Sequence, residues 1–473
     1  RRDRGMRIDE IDSLTRWPGS IPDARERIRE SLTASGKRLV VIDDDPTGTQ
    51  TVRDVPVCLD LSLESLLQTA ASAGPVFYVS TNSRSLPEDE AAKLSVQVGH
   101  SVSAAASALG FDPLLASRSD STLRGHFPQE VEALTEGMGL ECDGIVLAPA
   151  FFEGGRFTID DVHLVQQGGE LVPAAMTEFA RDPVFGYRSA DLKSWVEEKT
   201  RGRWSREEVL SVSLPLLQDG GPEAAAEMLS RCAGGRPVVV NAACYAHLDT
   251  FVLGLIRAEE AGKRFVYRCS ASFVKSRGGF PDSPLLGAEE VCAAPGPGLV
   301  VAGSYVERTS RQLEALIRSG LAEGVEVAAG ELADDSRRQR EVERAAQRVE
   351  RLLSSGRTAL VYTSRARLPG EGKEFLEAGR KLMGGLCGIV ERVGCRPAYL
   401  VAKGGITSIE IARQALGAKR CDVLGQILPG VPVWRMGEEG RWPGIAYTVF
   451  PGNVGDDQSL TRVVSLLSGG TGP

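Results

Sequence analysis

Arg38-Leu39-Val40-Val41-Ile42, followed by Asp43-Asp44-Asp45-Pro46-Thr47-Gly48-Thr49, is the stretch on which the reading of the fold turns. Its first half is a short, continuous apolar run rich in β-branched residues. Too short for a helix and without polar alternation, it suits a strand covered on both faces of a sheet. Its second half is polar and turn-forming. The same pairing recurs outward along the chain. Val76-Phe77-Tyr78-Val79 runs into Ser80-Thr81-Asn82-Ser83-Arg84, and Pro113-Leu114-Leu115-Ala116 runs into Ser117-Arg118-Ser119-Asp120-Ser121. Further strand-like runs are Gly144 to Leu147, Pro237 to Val240 and Phe265 to Tyr267. Strands of this kind, alternating with amphipathic helices, give an α/β fold with a parallel sheet, and ligands then bind outside the carboxyl ends of the strands. The polar clusters fall at those ends.

Length and composition set the frame for this pattern. A chain of 473 residues is too long for one ordinary core. Ala293-Ala294-Pro295-Gly296-Pro297-Gly298 is a poor helix and a poor strand, and it reads as a linker. After it the pattern restarts with Leu299-Val300-Val301-Ala302. Strands are expected at Ala359 to Tyr362 and Tyr399 to Ala402, and residues 336–354 carry Val342, Ala345, Ala346, Val349 and Leu352 at helical spacing. The expectation is two α/β domains with largely parallel sheets, at 1–292 and 298–473, with a cleft between them. No fixed-period repeat is present.

With 55 basic and 63 acidic residues the net charge is −8, which disfavours nucleic acid as a partner but leaves small anions open. Nine cysteines without C-x-x-C spacing and four dispersed histidines indicate neither a disulfide framework nor a zinc site. No run approaches the ~18 apolar residues of a membrane span, and the first twelve residues lack an apolar signal region. The expected setting is the cytoplasm, with no membrane partner and with homo-oligomerisation open.

Three adjacent carboxylates at Asp43, Asp44 and Asp45 repel one another, so they call for a metal, arginines or a hydroxyl-rich ligand. Ser80 to Arg84, and Ser117 to His126, pair guanidinium groups with hydroxyls. Arginine matches a carboxylate, while hydroxyls and an aspartate suit a polyol, so the composition points to a small hydroxylated acid. His126 reads as a packed or hydrogen-bonded loop residue. Phe151 to His163 forms either a wall of the site or an ordinary loop. In the second half, Lys403-Gly404-Gly405-Ile406-Thr407-Ser408 joins a strand to a helix pattern, a setting in which backbone N–H groups can meet phosphates. Gly303-Ser304 and Pro451-Gly452-Asn453-Val454-Gly455 offer similar turns. Lys403 reads equally as a phosphate partner or as a solvated lysine. Neither a Walker A pattern nor G-x-G-x-x-G occurs.

Asp44-Asp45-Pro46-Thr47-Gly48, Thr81-Asn82-Ser83-Arg84, Ser119-Asp120-Ser121-Thr122-Leu123-Arg124-Gly125, Gly404-Gly405-Ile406-Thr407 and Pro451-Gly452-Asn453-Val454-Gly455 occur in that order. Together they resemble the four-carbon acid sugar kinases, which include threonate, erythronate and 3-oxo-tetronate kinases. The resemblance runs from about residue 38 to 465. It implies an N-terminal acid-sugar-binding domain, a C-terminal ATP-binding domain, and transfer of the γ-phosphoryl group, with Mg²⁺, to a terminal hydroxyl of a small four-carbon, branched or oxo sugar acid in carbohydrate catabolism. Asp45, Arg84, Arg118, Ser119, Asp120 and Ser121 would then contact the sugar acid. Ser304, Gly404, Gly405, Ile406, Thr407 and Gly452 would contact ATP. Ile406 stands where the family turn often has an acidic residue.

On this reading Arg84 and Arg118 hold the substrate carboxylate, or one of them approaches the phosphoryl group. Asp120 is the first choice for the proton acceptor, with Asp44 or Asp45 next, and no protein metal ligands are assigned. Two other readings remain. Ile42-Asp43-Asp44-Asp45-Pro46-Thr47 fits the D-x-D-x-T motif of haloacid-dehalogenase-type phosphatases, with Asp43 as nucleophile and Asp45 as acid/base. The chain could also be a sugar-acid-binding protein without turnover.

Overall fold

The computed structural model describes residues 6–7, 12–17, 19–292, 295–303, 307–364, 373–452 and 454–469. The chain divides into two compact units, 1–282 and 283–473. The division falls ahead of the Pro/Gly stretch because Leu286 and Val291 pack into the second core.

The strands of the first unit are β1 (Met6–Arg7), β2 (Lys37–Asp43), β3 (Val55–Cys58), β4 (Val76–Ser80), β5 (Asp112–Arg118) and β6 (Gly144–Ala148). They continue with β7 (Arg156–Ile159), β8 (Val162–Gln167), β9 (Glu170–Pro173), β10 (Leu210–Val212), β11 (Arg236–Val240) and β12 (Phe265–Cys269). Eight of them lie side by side in the order β10-β11-β6-β12-β5-β2-β4-β3, every pair parallel. Parallel neighbours need crossovers, and helices such as Leu63–Ser72, Glu88–Leu109 and Gln129–Met138 supply them. Val40, Ile42, Phe77, Val79, Leu115, Val131 and Leu134 share the core those helices close. The chain starts this sheet at β2, adds β3 and β4 on one side, and then crosses to β5 on the other. The point of reversal, at the carboxyl ends of β2 and β5, is where such sheets receive ligands.

Phe151 to His163, read from sequence as a site wall or a loop, is largely antiparallel ribbon. Strands β7, β8, β9 and β1 form a second sheet in the order β1-β9-β8-β7. Asp160 and Asp161 make the two-residue turn between β7 and β8 with φ of 51° and 66°. Asp tolerates the left-handed region that such hairpin turns demand, which is why the pair sits there rather than among ligand groups.

The second unit holds β13 (Leu299–Ala302), β14 (Glu323–Val327), β15 (Ala359–Thr363), β16 (Tyr399–Lys403), β17 (Arg420–Leu428), β18 (Val431–Met436) and β19 (Ala446–Phe450). Their order is β17-β18-β19-β16-β13-β15-β14. The last five are mutually parallel, while β17, β18 and β19 form an antiparallel meander. The helix Arg338–Ser354 buries Val342, Ala345, Ala346, Val349 and Leu352, as its spacing requires. All nine cysteines are free thiols. Among the described residues no helix is long and apolar enough to cross a membrane.

Candidate functional site

Strand pairing alone brings the first charged pair together. Asp43 ends β2, Arg118 ends β5, and the two are register partners across the parallel ladder. Arg118 Nη1 lies 3.1 Å from Asp43 Oδ1, and both side chains are buried. Burial pushes the Asp43 carboxyl up to about 7; the Arg118 charge offsets part of that, and Asp44 and Asp45 add to it. The 3₁₀ turn Pro46–Thr49 folds back over this carboxylate so tightly that a Cβ on Gly48 would stand 2.2 Å from Asp43 Oδ2, so only glycine fits. Asp45 caps that turn, accepting from the Thr47 N–H at 2.8 Å.

Arg84 follows β4 and reaches across to the same place. Its Nε and Nη2 meet Asp44 Oδ2 and Oδ1 at 3.1 and 2.5 Å, a bidentate pair. Its Nη1 lies 3.5 Å from Asp45 Oδ2 and 3.8 Å from Asp120 Oδ1. Asp120 also accepts from Arg124 Nε at 2.7 Å and from the Thr122 hydroxyl. Burial opposes ionisation of Asp120, but Arg124, Arg84 and these hydrogen bonds outweigh it and hold the carboxyl well below the usual range. Asp45 is held low in the same way, by Arg84, Arg118 and Thr47 against its own burial. The result is a two-layer lattice. Asp43, Asp44 and Arg118 lie beneath, with side chains 5% exposed or less, while Arg84, Asp45, Asp120 and Arg124 face outward at 13–24%.

Ser119 and Ser121 are buried on the same loop, and the Ser121 carbonyl accepts from His163 Nε2 at 2.6 Å. His163 Nδ1 takes the Thr158 hydroxyl at 3.1 Å. Burial pushes the imidazole down to about 4, so it is a neutral prop rather than a base. His126 bonds the Leu86 carbonyl and packs edge-on to Phe185.

Three further groups belong to the site. Arg124, within the Ser119–Gly125 motif, pairs with Asp120. Glu130, in the first turn of Gln129–Met138, accepts from Ser83 Oγ at 2.5 Å; burial, with the Asp44 charge adding, pushes its carboxyl up to about 7. Arg268, in β12, donates to the Arg124 carbonyl at 3.0 Å and lies over the Trp195 ring. A lone charge inside the apolar run Phe265–Cys269 was the available signal for Arg268. Glu130 had none, because nothing local distinguishes it from a surface helix glutamate.

In the second unit the corresponding edge is built from turns. Gly404 follows β16 with φ 112°, a conformation open to glycine, and its N–H donates to the Phe450 carbonyl at 2.8 Å. That bond ties Gly404 and the residues after it, Gly405–Thr407, which form the first turn of the helix Gly405–Glu410, to the end of β19. Gly303, at the end of β13, approaches Thr407 so closely that a Cβ there would stand 2.9 Å from Thr407 Oγ1. Gln312 holds the other turn, donating to the Val454 and Asp456 carbonyls at 3.1 and 2.8 Å. Lys403, open to a solvated reading from sequence, is wholly buried; its Nζ donates to the Pro451 and Gly452 carbonyls at 2.5 and 3.3 Å. Ile406 is 53% exposed. Ser304 and Asn453 lie outside the described residues.

This geometry does not support the phosphatase reading. Asp43 is covered and paired with Arg118, so it presents no free oxygen for attack on phosphorus.

Residues 39–277 match a family described as a sugar-binding N-terminal domain, and residues 299–460 match one described as a nucleotide-binding C-terminal domain. The chain is 26% identical over 419 residues to a D-threonate kinase of Salmonella typhimurium, covering 84% of this chain and 90% of that one. It is 31% identical over 183 residues to a D-erythronate kinase of Heliobacterium modesticaldum, a stretch spanning 38% of each. Its fold matches a solved Salmonella typhimurium LT2 structure described as a tRNA synthase, with TM-score 0.67 and 18% identity over 90% of this chain and 98% of that one. It also matches a Haemophilus influenzae protein, with TM-score 0.61 and 18% identity over 90% and 100%.

Proposed function

The chain belongs to the four-carbon acid sugar kinase family, and from that premise we propose that it transfers the γ-phosphoryl group of ATP to a terminal hydroxyl of a four-carbon sugar acid, or of a related branched or oxo acid. The observation that carries the reading is the outward layer of the first unit. Asp45, Arg84, Asp120 and Arg124 alternate in charge and remain partly open, so they can meet a small molecule that is both hydroxylated and anionic. Ser119 and Ser121 border this layer. Arg84, more open than Arg118, faces the substrate carboxylate. Arg118 acts from beneath by holding Asp43 in place.

Phosphoryl transfer asks a protein for positioning and charge neutralisation more than for covalent help. Asp120, kept ionised by two arginines, is a weak base. Its role is to accept a hydrogen bond from the attacking hydroxyl and aim it, with Asp44 fixing Arg84 from below. The Gly404-Gly405-Ile406-Thr407 turn and Gly452 would hold ATP. The close approach of Gly303 to Thr407, and the positive φ of Gly404, leave glycine backbone without a Cβ at this edge, where it can approach phosphate. ATP supplies the phosphoryl group, and its Mg²⁺ offsets phosphate charge.

ADP release with Mg²⁺ against a panel of threonate, erythronate, their 3-oxo forms and branched analogues tests the reading. Turnover on one member is expected. No ADP release with any acid, together with no ATP binding by calorimetry, overturns it.

A further inference from the structure

Lys403 ends β16, between β19 and β13 in the second unit's parallel strands, and its side chain is fully covered. Its register partner on β13 is Ala302, which carries no charge. Its ammonium meets the carbonyls of Pro451 and Gly452 and stands 4.2 Å from the centre of the Phe450 ring. Among the described residues no carboxylate lies within ion-pair distance of it. The charged group that acts on it, Arg308, is a second cation. A buried cation without a counter-ion is strongly destabilising. Hydrophobic side chains fill the equivalent space more favourably, so the charge calls for a reason.

We propose that Lys403 is the positioning residue and charge centre of the nucleotide site: its ammonium fixes the Pro451–Gly452 turn beside the Gly404–Thr407 turn, and the nucleotide phosphates supply the counter-charge that the fold withholds. This rests on the kinase reading above and deepens it. Because the side chain is covered, it acts through the turn and through its charge, not by touching phosphate. Two features of the site make that effective. The carbonyls it holds belong to the residues that carry the second glycine turn, and the Gly404 N–H binds Phe450, the residue before them. Both turns therefore hang on the ends of two adjacent parallel strands, β16 and β19, with Lys403 as the bolt between them.

A consequence separates this role from simple packing. Without nucleotide, burial, with Arg308 adding to it, pushes the Lys403 ammonium down to about 7. Phosphate charge nearby favours the protonated form, so nucleotide binding above neutral pH must draw a proton onto the protein.

The experiment is calorimetric titration of the full chain with MgADP at pH 8, in two buffers of different ionisation enthalpy, for wild type, Lys403→Arg and Lys403→Met. The wild type is expected to take up a substantial fraction of a proton per nucleotide. Lys403→Arg keeps the charge permanently, so it should bind MgADP while losing that uptake. Lys403→Met should bind at least tenfold more weakly, also without the uptake. Equal uptake in wild type and Lys403→Arg, or affinity in Lys403→Met within twofold of wild type, overturns this inference and leaves the kinase reading standing. No MgADP binding by folded wild type overturns the kinase reading and this inference with it.

Discussion

In the first unit the opening strand β2 lies between β4 and β5 with β3 outside β4; in the second, β13 lies between β15 and β16 with β14 outside β15. Over these four strands the two orders are the same, and in both the chain reverses direction between the first and fourth of them. What stands at that reversal differs. In the first unit the register partners are Asp43 and Arg118, and the pair is neutral within itself. In the second they are Ala302 and Lys403, and among the described residues the cation has no carboxylate partner. One layout thus serves two ligand chemistries. A matched lattice of carboxylates and guanidiniums offers many hydrogen bonds and little net charge, which suits a hydroxylated acid. An unmatched cation under glycine turns suits a polyanion. The difference teaches that strand order selects where a ligand sits, while the charge left unpaired there selects its class.

The sharpest way to break this comparison is to remove each cation in turn. Arg118→Met leaves Asp43 buried beside Asp44 and Asp45 without its partner, and a loss of about 3–5 kcal/mol in stability is expected. Adding Asp43→Asn to it should recover most of that loss, because the uncompensated charge goes with it. Lys403→Met should lose less than about 1 kcal/mol, or gain, since it removes a buried charge that no carboxylate among the described residues offsets. Scanning calorimetry checks all three variants. Equal losses for Arg118→Met and Lys403→Met would erase the distinction between the two reversals.

A second effect belongs to turnover. Asp120→Asn keeps the shape of the outward layer but accepts the attacking hydroxyl less well and no longer balances Arg84 and Arg124. The kcat for the sugar acid should fall by roughly 10²–10³-fold with a smaller change in its KM, and MgADP affinity should stay unchanged, as measured by steady-state kinetics and calorimetry. A matching loss of MgADP affinity would show that the first unit's lattice is not confined to the acid.

Much of this division was legible in the chain. The apolar runs gave the parallel strands, because a strand buried on both faces leaves no other composition. The clusters at Asp43–Asp45, Ser80–Arg84 and Ser117–Arg124 named the strand ends whose side chains converge. What stayed hidden depends on distance in the fold. Asp43 and Asp45 look alike in sequence, yet one lies under Arg118 and the other faces outward, a split made by the turn at Pro46–Thr49. Arg84 and Arg118 look like free receptors for an acid, yet both already hold aspartates. The meander of β17, β18 and β19 is not legible in the sequence, since continuous apolar runs do not reveal strand direction. Glu130 and Arg268 acquire meaning through Ser83 and Arg124, which are 47 and 144 residues away.

Glu130 gives a smaller, pH-dependent test of the first unit's charge balance. Its carboxyl is raised to about 7, above the ordinary glutamate range, by burial and by Asp44. A carboxyl raised on folding contributes stability that is fully present below about 4.5 and is lost as pH rises through about 7. The wild type should therefore lose up to about 2 kcal/mol between pH 5 and pH 8 from this group, and Glu130→Gln should show a flatter profile by urea denaturation followed over that range. An unchanged slope in the variant would assign the whole dependence to Asp43, which is raised to the same level by the same cause.

His163 gives the smallest effect, with the opposite sign. Its imidazole is lowered to about 4 by burial, with Arg156 and Arg268 adding to it and the hydrogen bond to the Ser121 carbonyl opposing it. Stability from this group is present above about 6.5 and is lost as pH falls from there through about 4. His163→Gln keeps one donor and one acceptor, so at pH 7 it should lose only about 1 kcal/mol. Below pH 6 it should lose stability less steeply than the wild type. Because Ser121 borders the outward layer, the same substitution tests whether the first unit depends on this prop for more than stability. A rise in KM for the sugar acid with unchanged kcat would place His163 behind the loop that carries Asp120. An unchanged KM would confine it to the fold, and the matched lattice would then hold its shape from its own ion pairs.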